Sequence, residues 1–519
     1  MSWFDPPRRM FLVAMLCAIA IRIPFVLYQI PVSRDTTEFQ NVARHLGNGD
    51  GFTLTIRAYY QFDAPVTHYA GFVRPWMLPL LLAGGQTVFS EAFVSRVLPP
   101  ILFITALAWI YFALIRCYSV SAAFWAVLVL AVHPGLRQLS LMPLSELTVI
   151  FFIALALWGH VRWKSPTLVG FACALVFLSR PSAAVAAIAF GAAYGAQSVR
   201  TSSVRPLALY GGMFLIGPAV AAVINVWHAA PLLQMPQNFL FRVAHFSDGV
   251  HYLHRRPVYD SAVSFLSDNA GLALASIANN AFSYAMQIST GPSGLTYLLP
   301  LVPLAIIGAL GSSRRGLVTL LAAIGALDLA MWCLTWSTYD AWRAPLVFMF
   351  TWIAWIVAES WEGLALLARV RGAAWRFVPP FVIGVVVCLW GLRDLHAGVV
   401  AFREHRQGAP LAYYDELWDS ADVRAMRSKL PSHDAVVASN EPWLTYRLTG
   451  QPSALVPYDL AADEWLAFLR GLGATHVLVH AADWPKAYEA NRVALTAALE
   501  SGNWRRVAEH GPLQLWSAR

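Results

Sequence analysis

A short polar segment after the first hydrophobic stretch carries the side chains best suited to chemistry, with the sequence SRDTTEF at positions 33–39. Asp35 and Glu38 are three positions apart, so on a helix they are neighbours on one face. A partly desolvated carboxylate has a raised pKa, which suits it to accept a proton near neutral pH. We therefore predict Asp35 as a general base and Glu38 as a second catalytic residue. The alternative is a surface acid that only stabilises the start of a helix.

The residues after Asp35 have the spacing of an amphipathic helix. Apolar residues recur at i, i+3, i+4 and i+7, which forms one stripe along the helix. The stripe consists of Phe39, Val42, Ala43 and Leu46. Ser33 is suited to the N-cap, and Asp35 in the first turn suits the helix dipole. A short helix of this kind is expected to lie flat on a membrane surface.

The composition places this segment in a membrane protein. Of 519 residues, 58% are hydrophobic and only 13% are charged, which is typical of a polytopic α-helical membrane protein. The net charge of +8 is expected from Lys and Arg in cytoplasmic loops beside anionic lipid, so it does not indicate nucleic acid. The five cysteines lie in apolar runs without metal-ligand spacing and predict buried hydrophobic side chains.

The hydrophobic runs predict about eleven membrane spans. They occupy residues 10–30, 93–115, 119–133, 145–161, 166–179, 181–198, 207–228, 294–311, 317–336, 343–362 and 376–392. Basic residues at alternate turns, such as Arg116 and Arg200, place those turns in the cytoplasm. This alternation requires that residues 75–89, which are short and contain Pro79, do not cross the membrane. The first outer loop (31–92), a long outer loop (229–293) and the C-terminal tail then share the outer face.

A second acid, Glu146, opens a predicted span on the same face. Together with Asp35 it could hold a divalent cation such as Mg, Mn or Zn, which would suit the chemistry of phosphate groups. The pair is therefore our predicted metal site, and Glu146 is the third predicted catalytic residue. The alternative is an acid that only stabilises the N-terminus of its helix.

Arginines at the outer face predict a site for an anion. Positive charge is disfavoured on that side, and misplaced charges indicate function. An arginine fork also matches the geometry of phosphate. The predicted phosphate-binding residues are Arg74, Arg180, Arg343, Arg255 and Arg256. The alternative is that they pair with nearby acids or backbone carbonyls, or belong to a solvated basic loop.

Aromatic residues are dense in the outer segments. Ring faces stack on sugars, and we assign His68, Tyr69 and Tyr339 to substrate binding. The alternative is the belt of aromatic side chains that membrane proteins place at the interface.

The character of the chain changes after residue 400. Residues 405–519 predict a small α/β domain that lies outside the membrane. Its predicted strands are 434–439 and 476–480, its predicted helices are 462–471 and 488–500, and the last two strands flank a His-Gly-Pro turn.

Taken together, these residues resemble the GT-C superfamily of integral membrane glycosyltransferases. They are most similar to bacterial aminoarabinose transferases and to enzymes like the protein O-mannosyltransferases. The matching segments are Asp35 with Phe39, Gly49-Asp50-Gly51-Phe52, Arg74-Pro75, Ser145-Glu146, Ser179-Arg180-Pro181 and Arg343 with Pro345. The family often has adjacent acids at the first motif, whereas here Thr36 follows Asp35.

The resemblance implies a transmembrane catalytic domain over residues 1–400 and an extracytoplasmic α/β domain over 405–519. It also implies transfer of a hexose or pentose from a polyprenyl-phosphate donor to a hydroxyl of an envelope glycan, lipid or protein. The transfer would take place on the periplasmic side of the bacterial inner membrane, by inverting displacement. The predicted protein is a monomer that binds membrane lipid and no nucleic acid.

Two other classes of protein stay open. The first is a transporter or flippase for a lipid-linked sugar, although the sequence lacks the internal repeats that are typical of many transporters. The second is a polysaccharide ligase or polymerase of another fold, which would place its function in a late loop. Motifs for ATP hydrolysis or for a zinc protease are absent from the sequence.

Overall fold

A computed structural model gives the fold of most of the chain. It describes residues 6–30, 33–57, 65–72, 74–228, 262–290, 296–311, 315–335, 346–371, 378–406, 412–413, 421–431, 435–458, 460, 464–481, 484 and 489–519. Four residues with a predicted role lie outside these ranges: Arg255, Arg256, Tyr339 and Arg343.

The described part of the chain is mostly helical. Its first ten helices are α1 (Pro6–Tyr28), α2 (Arg34–Asn48), α3 (Met77–Gln86), α4 (Glu91–Cys117), α5 (Val120–Val132), α6 (Pro134–Leu139), α7 (Ser145–Trp158), α8 (Pro166–Ser179), α9 (Val185–Thr201) and α10 (Arg205–Trp227). The later helices are α11 (Ala262–Thr290), α12 (Val302–Gly311), α13 (Arg315–Thr335), α14 (Leu346–Arg371), α15 (Val378–Arg406), α16 (Ala421–Arg427), α17 (Pro442–Thr449), α18 (Glu464–Gly471) and α19 (Glu489–Ser501).

Several helices are long and apolar enough to span a membrane. By length and composition, the six found in the described ranges are Pro6–Leu27, Glu91–Leu114, Ser145–Trp163, Pro181–Thr201, Arg205–Trp227 and Pro380–Ala397. The shorter apolar helices are Met77–Gln86, Val120–Val132, Pro166–Ser179, Leu298–Gly311 and Thr319–Cys333. Each predicted span overlaps one of these helices except 343–362, which overlaps α14. The helix α3 is about 15 Å long, about half of the hydrocarbon thickness, in keeping with the prediction that this segment does not cross.

Two later helices extend beyond the elements that the sequence predicts. The predicted outer loop 229–293 contains α11 over its second half. Polar residues such as Asp268 and Asn280 lower the hydropathy of this stretch, so it does not stand out as an apolar run, yet they do not break a helix. The last predicted span, 376–392, continues as α15 to Arg406. This helix therefore runs past residue 400, where we expected the first domain to end.

Small residues allow the helices to approach closely. A Cβ atom added to Gly170 of α8 would collide with the backbone oxygen of Tyr210 in α10, and one added to Gly363 of α14 would collide with that of Leu304 in α12. Close backbone contact through small residues is typical of helix packing in membranes, where apolar side chains gain little by leaving lipid.

The last part of the chain builds a six-stranded mixed sheet. The described strands are β1 (Gln29–Ile30), β2 (Thr53–Leu54), β3 (Ile56–Arg57), β4 (His68–Tyr69), β5 (Ala412–Tyr413), β6 (Val437–Ser439), β7 (Ser453–Leu455), β8 (His476–His480), β9 (Trp504–His510) and β10 (Leu513–Ala518). The order in the sheet is β3-β7-β6-β8-β10-β9. The strands predicted near 434–439, at 476–480 and at the C-terminus are confirmed, and so are the two predicted helices, which are α18 and α19.

The edge strand β3 comes from the first outer loop and not from the C-terminal region. It runs parallel to β7, with Ile56 opposite Ser453. The prediction had assigned every strand of this sheet to the C-terminal residues. β3 pairs with β7 through only two residues, which are distant from β7 along the chain. So short a strand leaves no pattern in the sequence, which therefore does not predict it.

The sheet also packs against α2. One face of the sheet carries α16 and α17 and buries Val42 of α2, whereas the other face carries α18 and α19. Phe39 and Ala43, from the same stripe of α2, pack against Leu78 and Leu82 of α3. The apolar stripe is therefore buried in protein on both sides and not against lipid. Our expectation that the helix lies along the membrane surface stays a prediction. α2 is held between the helical bundle and the sheet.

Candidate functional site

The first turn of α2 is fixed by a capping box, in which Ser33 is the N-cap that the sequence predicts. The Ser33 hydroxyl accepts a hydrogen bond from the Thr36 backbone N–H at 3.2 Å, and the Thr36 hydroxyl accepts one from the Ser33 N–H at 2.6 Å. These bonds satisfy backbone donors that a helix start leaves without partners. Asp35 and Glu38 therefore leave α2 from a well-defined turn.

Arg74 joins the two acids of this helix. Its terminal Nη2 lies 2.6 Å from Asp35 Oδ1, and its Nε pairs with Glu38 Oε2. The guanidinium also stacks over the Phe39 ring, 5.2 Å from its centroid. We call Asp35, Glu38 and Arg74 the first-loop cluster. The two acids that the sequence places on one helix face thus form an ion-pair network with an arginine that was predicted apart from them.

The two acids of the first-loop cluster differ in burial. The Asp35 side chain is 20% exposed and that of Glu38 is 1% exposed. Burial raises the pKa of Glu38, and the neighbouring Arg74 opposes this shift. Asp35 is therefore the more exposed of the two acids, and Glu38 is buried.

A second ion pair lies at the ends of two helices of the bundle. Glu146 in the first turn of α7 and Arg180 at the end of α8 are 2.6 Å apart, and their side chains are 2% and 16% exposed. The Arg180 guanidinium lies 4.5 Å from the centre of the Trp332 ring. We call Glu146 and Arg180 the helix-end pair. Here the cation is the more exposed partner.

A backbone hydrogen bond links the surroundings of the two groups. The Trp76 N–H donates to the Leu178 carbonyl at 3.1 Å. Trp76 is two residues from Arg74, and Leu178 is two residues from Arg180. The first-loop cluster and the helix-end pair therefore lie at the same end of the bundle.

The C-terminal sheet contributes side chains that the sequence did not predict. The Trp443 indole N–H donates to Glu38 Oε1 at 2.5 Å, and Glu441 pairs with Arg34 at 2.5 Å. Arg34 lies within the motif that contains Asp35, and this position is the one feature of the sequence that could have indicated a role for Arg34. Trp443 is 405 residues from its partner, so no local spacing indicates it.

The two predicted substrate-binding residues in β4 have different surroundings. His68 is buried, and its Nδ1–H donates to the Val66 carbonyl at 3.2 Å. Burial lowers the pKa of His68 to about 4. Tyr69 stacks on His228 with the ring centres 4.1 Å apart, and its ring lies edge-on to Trp76. Tyr69, Trp76 and His228 thus form a small aromatic cluster, and Trp76 is two residues from Arg74. The substrate role of both residues stays a prediction.

The predicted metal site does not gain support from this geometry. Within the described ranges, no three His, Cys, Asp or Glu side chains are grouped closely enough to hold a metal ion. Asp35 and Glu146 each face an arginine, and a neighbouring positive charge disfavours a divalent cation. The assignment of a metal to these two acids stays a prediction.

Solved structures resemble this chain over almost its whole length. Neither a protein-family model nor a curated protein matches the sequence. ArnT from Cupriavidus metallidurans, bound to undecaprenyl phosphate, superposes with a TM-score of 0.59 at 12% identity and covers 98% of this chain and 97% of its own. The archaeal oligosaccharyltransferase AglB from Archaeoglobus fulgidus was solved in complex with an inhibitory peptide and a dolichol-phosphate. It superposes with a TM-score of 0.53 at 12% identity, and the match covers 97% of this chain and 73% of the AglB chain.

These neighbours are GT-C glycosyltransferases, and the chain has their fold. The resemblance that the sequence motifs indicated is confirmed at this level. The apolar helices and the membrane-protein neighbours also identify a multi-pass membrane protein.

Proposed function

We propose that this chain is a membrane glycosyltransferase that moves a sugar from a polyprenyl-phosphate donor to a hydroxyl acceptor. The observation that carries the proposal is the first-loop cluster, in which an accessible carboxylate is fixed by an arginine. The fold supports it, because ArnT and AglB have the same fold and were solved with lipid phosphates. The donor sugar is a hexose or pentose, and the acceptor is an envelope glycan, a lipid or a protein.

Asp35 is the proposed general base. Arg74 holds one carboxylate oxygen of Asp35, and a fifth of the Asp35 side chain is exposed. The acceptor hydroxyl gives its proton to this carboxylate, and its oxygen attacks the anomeric carbon of the donor. The bond from that carbon to the phosphate oxygen breaks, and the electron pair leaves with the lipid phosphate. A single displacement of this kind inverts the anomeric configuration.

Glu38 has a different proposed task from Asp35. Its two oxygens are engaged by Arg74 and Trp443, and its side chain is buried. It therefore anchors Arg74, and Arg74 in turn orients Asp35. We propose that Arg74 acts mainly in this way and not as a phosphate ligand.

Arg180 is the proposed ligand of the donor phosphate. Its guanidinium is partly exposed, and Glu146 and Trp332 fix its position. A guanidinium carries its five N–H donors in a planar fork that matches the geometry of phosphate. Charge-assisted hydrogen bonds from it would stabilise the phosphate as it leaves. Arg255, Arg256 and Arg343, which lie outside the described residues, are further predicted ligands.

The proposed location is the plasma membrane of a bacterium, with the site on the outer face. The support is the distribution of basic residues in the sequence, which assigns turns such as that of Arg116 to the cytoplasm. Because the C-terminal sheet includes β3 of the first loop, the C-terminus lies on the same side as Asp35. A reporter enzyme fused after Arg519 that is active only outside the cytoplasm should therefore be active.

The test is a transfer assay with the purified protein in liposomes. Wild type should release polyprenyl phosphate in equal amount to the glycosylated acceptor. Asp35→Asn should lower the rate by about 100-fold or more, the usual contribution of a general base. Asp50→Asn is the matched control, because Asp50 follows the same helix, is exposed and pairs only at the surface with His45. Movement of labelled lipid across the bilayer without a covalent product would instead favour a transporter.

A further inference from the structure

We propose that Trp443 of the C-terminal region is a positioning residue of the site, which holds Glu38 so that Arg74 stays on Asp35. The inference rests on the proposed function, because the positioned group is the proposed base. It assigns to the C-terminal sheet a part in the transfer reaction itself, and not only in stability.

Four side chains form a continuous chain of hydrogen bonds from the sheet to the base. The Trp443 indole N–H donates to Glu38 Oε1 at 2.5 Å. Glu38 Oε2 accepts from Arg74 Nε, and Arg74 Nη2 lies 2.6 Å from Asp35 Oδ1. Each step uses a different oxygen or nitrogen, so a change at Trp443 can reach Asp35 through these bonds.

Hydrogen bonds to the sheet fix the start of α17, the helix that carries Trp443. The side-chain amide of Asn440, which follows β6, joins this segment to β8. Its Nδ2 donates to the His480 carbonyl at 2.9 Å, and its Oδ1 accepts from the His480 backbone N–H at 2.8 Å. The Ser453 hydroxyl donates to the Pro442 carbonyl at 2.8 Å. These bonds fix both sides of the turn that leads into α17, and the Trp443 side chain is buried. The indole N–H is therefore presented to Glu38 from a fixed frame.

Other contacts hold α17 against α2 without touching Glu38. Arg44 donates to the Tyr446 hydroxyl at 2.9 Å, and Arg447 donates to Gln40 Oε1 at 2.9 Å. Docking of the sheet therefore does not depend on the indole N–H alone. A change that removes this N–H but keeps the aromatic ring should leave the two parts together.

The charges around Glu38 explain what the indole N–H does. Arg74 and Asp35 face Glu38 directly, whereas Arg34 and Glu441 pair with each other beside Trp443. Burial raises the pKa of Glu38, and the hydrogen bond from Trp443 opposes that shift. Loss of this donor would raise the pKa further, and a protonated Glu38 would release its hold on Arg74.

The experiment compares Trp443→Phe with Trp465→Phe over a range of pH. Trp465 is the matched control, because it is equally buried, lies on the other face of the sheet, and its indole N–H has no hydrogen-bond partner in the described ranges. Trp443→Phe should lower kcat by about tenfold near neutral pH and move the acid limb of the kcat profile up by about one pH unit. Trp465→Phe should keep the limb where wild type has it.

Two further measurements keep the inference testable. Glu38→Gln retains an acceptor for Trp443 but removes its titrating group, so the acid limb that remains should be that of Asp35 alone. Adding Trp443→Phe to Glu38→Gln should then no longer move the limb. Infrared difference spectra between each protein and its Glu38→Gln form follow protonation of Glu38 without any transfer assay, and Trp443→Phe should shift that titration upward. If wild type transfers no sugar, the proposed function fails while the infrared shift still tests the positioning of Glu38. The inference would be overturned if Trp443→Phe and Trp465→Phe had the acid limb of the kcat profile at the same pH, or the same infrared titration of Glu38.

Discussion

The first-loop cluster and the helix-end pair are built from the same two kinds of side chain, yet an acid is partly exposed only in the first. The two arginines, Arg74 and Arg180, are almost equally exposed, at 15% and 16%. In the first, Arg74 holds the buried Glu38 and the partly exposed Asp35. In the second, the acid Glu146 is buried and the cation Arg180 is the more exposed partner. An accessible carboxylate suits proton transfer, and an accessible guanidinium suits an anion. Burial of the acid, more than residue type, therefore distinguishes the tasks that we propose for the two groups.

Removal of Arg74 should have the largest effect on stability. Arg74→Gln leaves the buried Glu38 without its cation, and loss of one partner of a buried ion pair costs about 3–5 kcal/mol. Transfer should also fall by about 100-fold or more, since Asp35 loses its orientation. The double variant Arg74→Gln/Glu38→Gln should recover most of the stability but not the transfer. Unfolding in detergent measures the first effect, and an Arg74→Gln protein as stable as wild type would contradict the role of Glu38.

A milder change in the helix-end pair should act on donor binding. Arg180→Lys keeps the charge opposite Glu146 but loses the planar fork that matches phosphate. We expect the KM for the lipid donor to rise about tenfold while kcat changes by less than about threefold. Steady-state kinetics with varied donor would show the split. A fall in kcat at constant KM would instead assign Arg180 to the chemical step.

The pH dependence of stability should distinguish the buried acid of the first-loop cluster. The pKa of Glu38 is raised above its usual value of 4.5, so the folded protein binds this proton more tightly than the unfolded chain. That contribution to stability is fully present below about pH 4.5 and is lost as the pH rises through the folded pKa. Wild type should therefore lose melting temperature relative to Glu38→Gln as the pH rises. Parallel curves for the two proteins would contradict the shift.

The smallest effect is expected for an ion pair outside both groups. Arg44 and Glu91 are 2.9 Å apart with side chains 44% and 33% exposed. Exposed pairs of this kind contribute less than about 1 kcal/mol. Glu91→Gln should thus change the melting temperature little and leave transfer unaltered. An effect as large as that of Arg74→Gln would show that exposure is a poor guide to the role of these pairs.

Local features of the site could be read from the sequence. The Ser33 cap and the stripe that contains Phe39 and Val42 follow from the spacing of residue types within two helical turns, and the structure confirms both. The strand at 476–480 is likewise a short run of apolar residues, and it is confirmed. Each of these depends on neighbours that are close along the chain.

Contacts between distant segments could not be read. Trp443 meets Glu38 across 405 residues, and β3 joins a sheet whose other strands begin at Val437. Neither leaves a periodic signal. The helix α11 was missed for a different reason, because its polar residues hide a helical stretch from a prediction based on hydropathy. The difference in burial between Asp35 and Glu38 depends on contacts with the distant C-terminal region, such as that of Trp443. The local sequence around the two acids therefore does not predict it.

The most direct test of the account is a single-turnover measurement with Asp35→Asn. Donor is bound first, its dissociation constant is measured, and transfer is then started with excess acceptor. We predict that the rate constant falls by about 100-fold or more while the dissociation constant of the donor stays within about twofold of wild type. A rate constant equal to that of wild type, or a loss of donor binding that accounts for the whole defect, would contradict a role for Asp35 as the base.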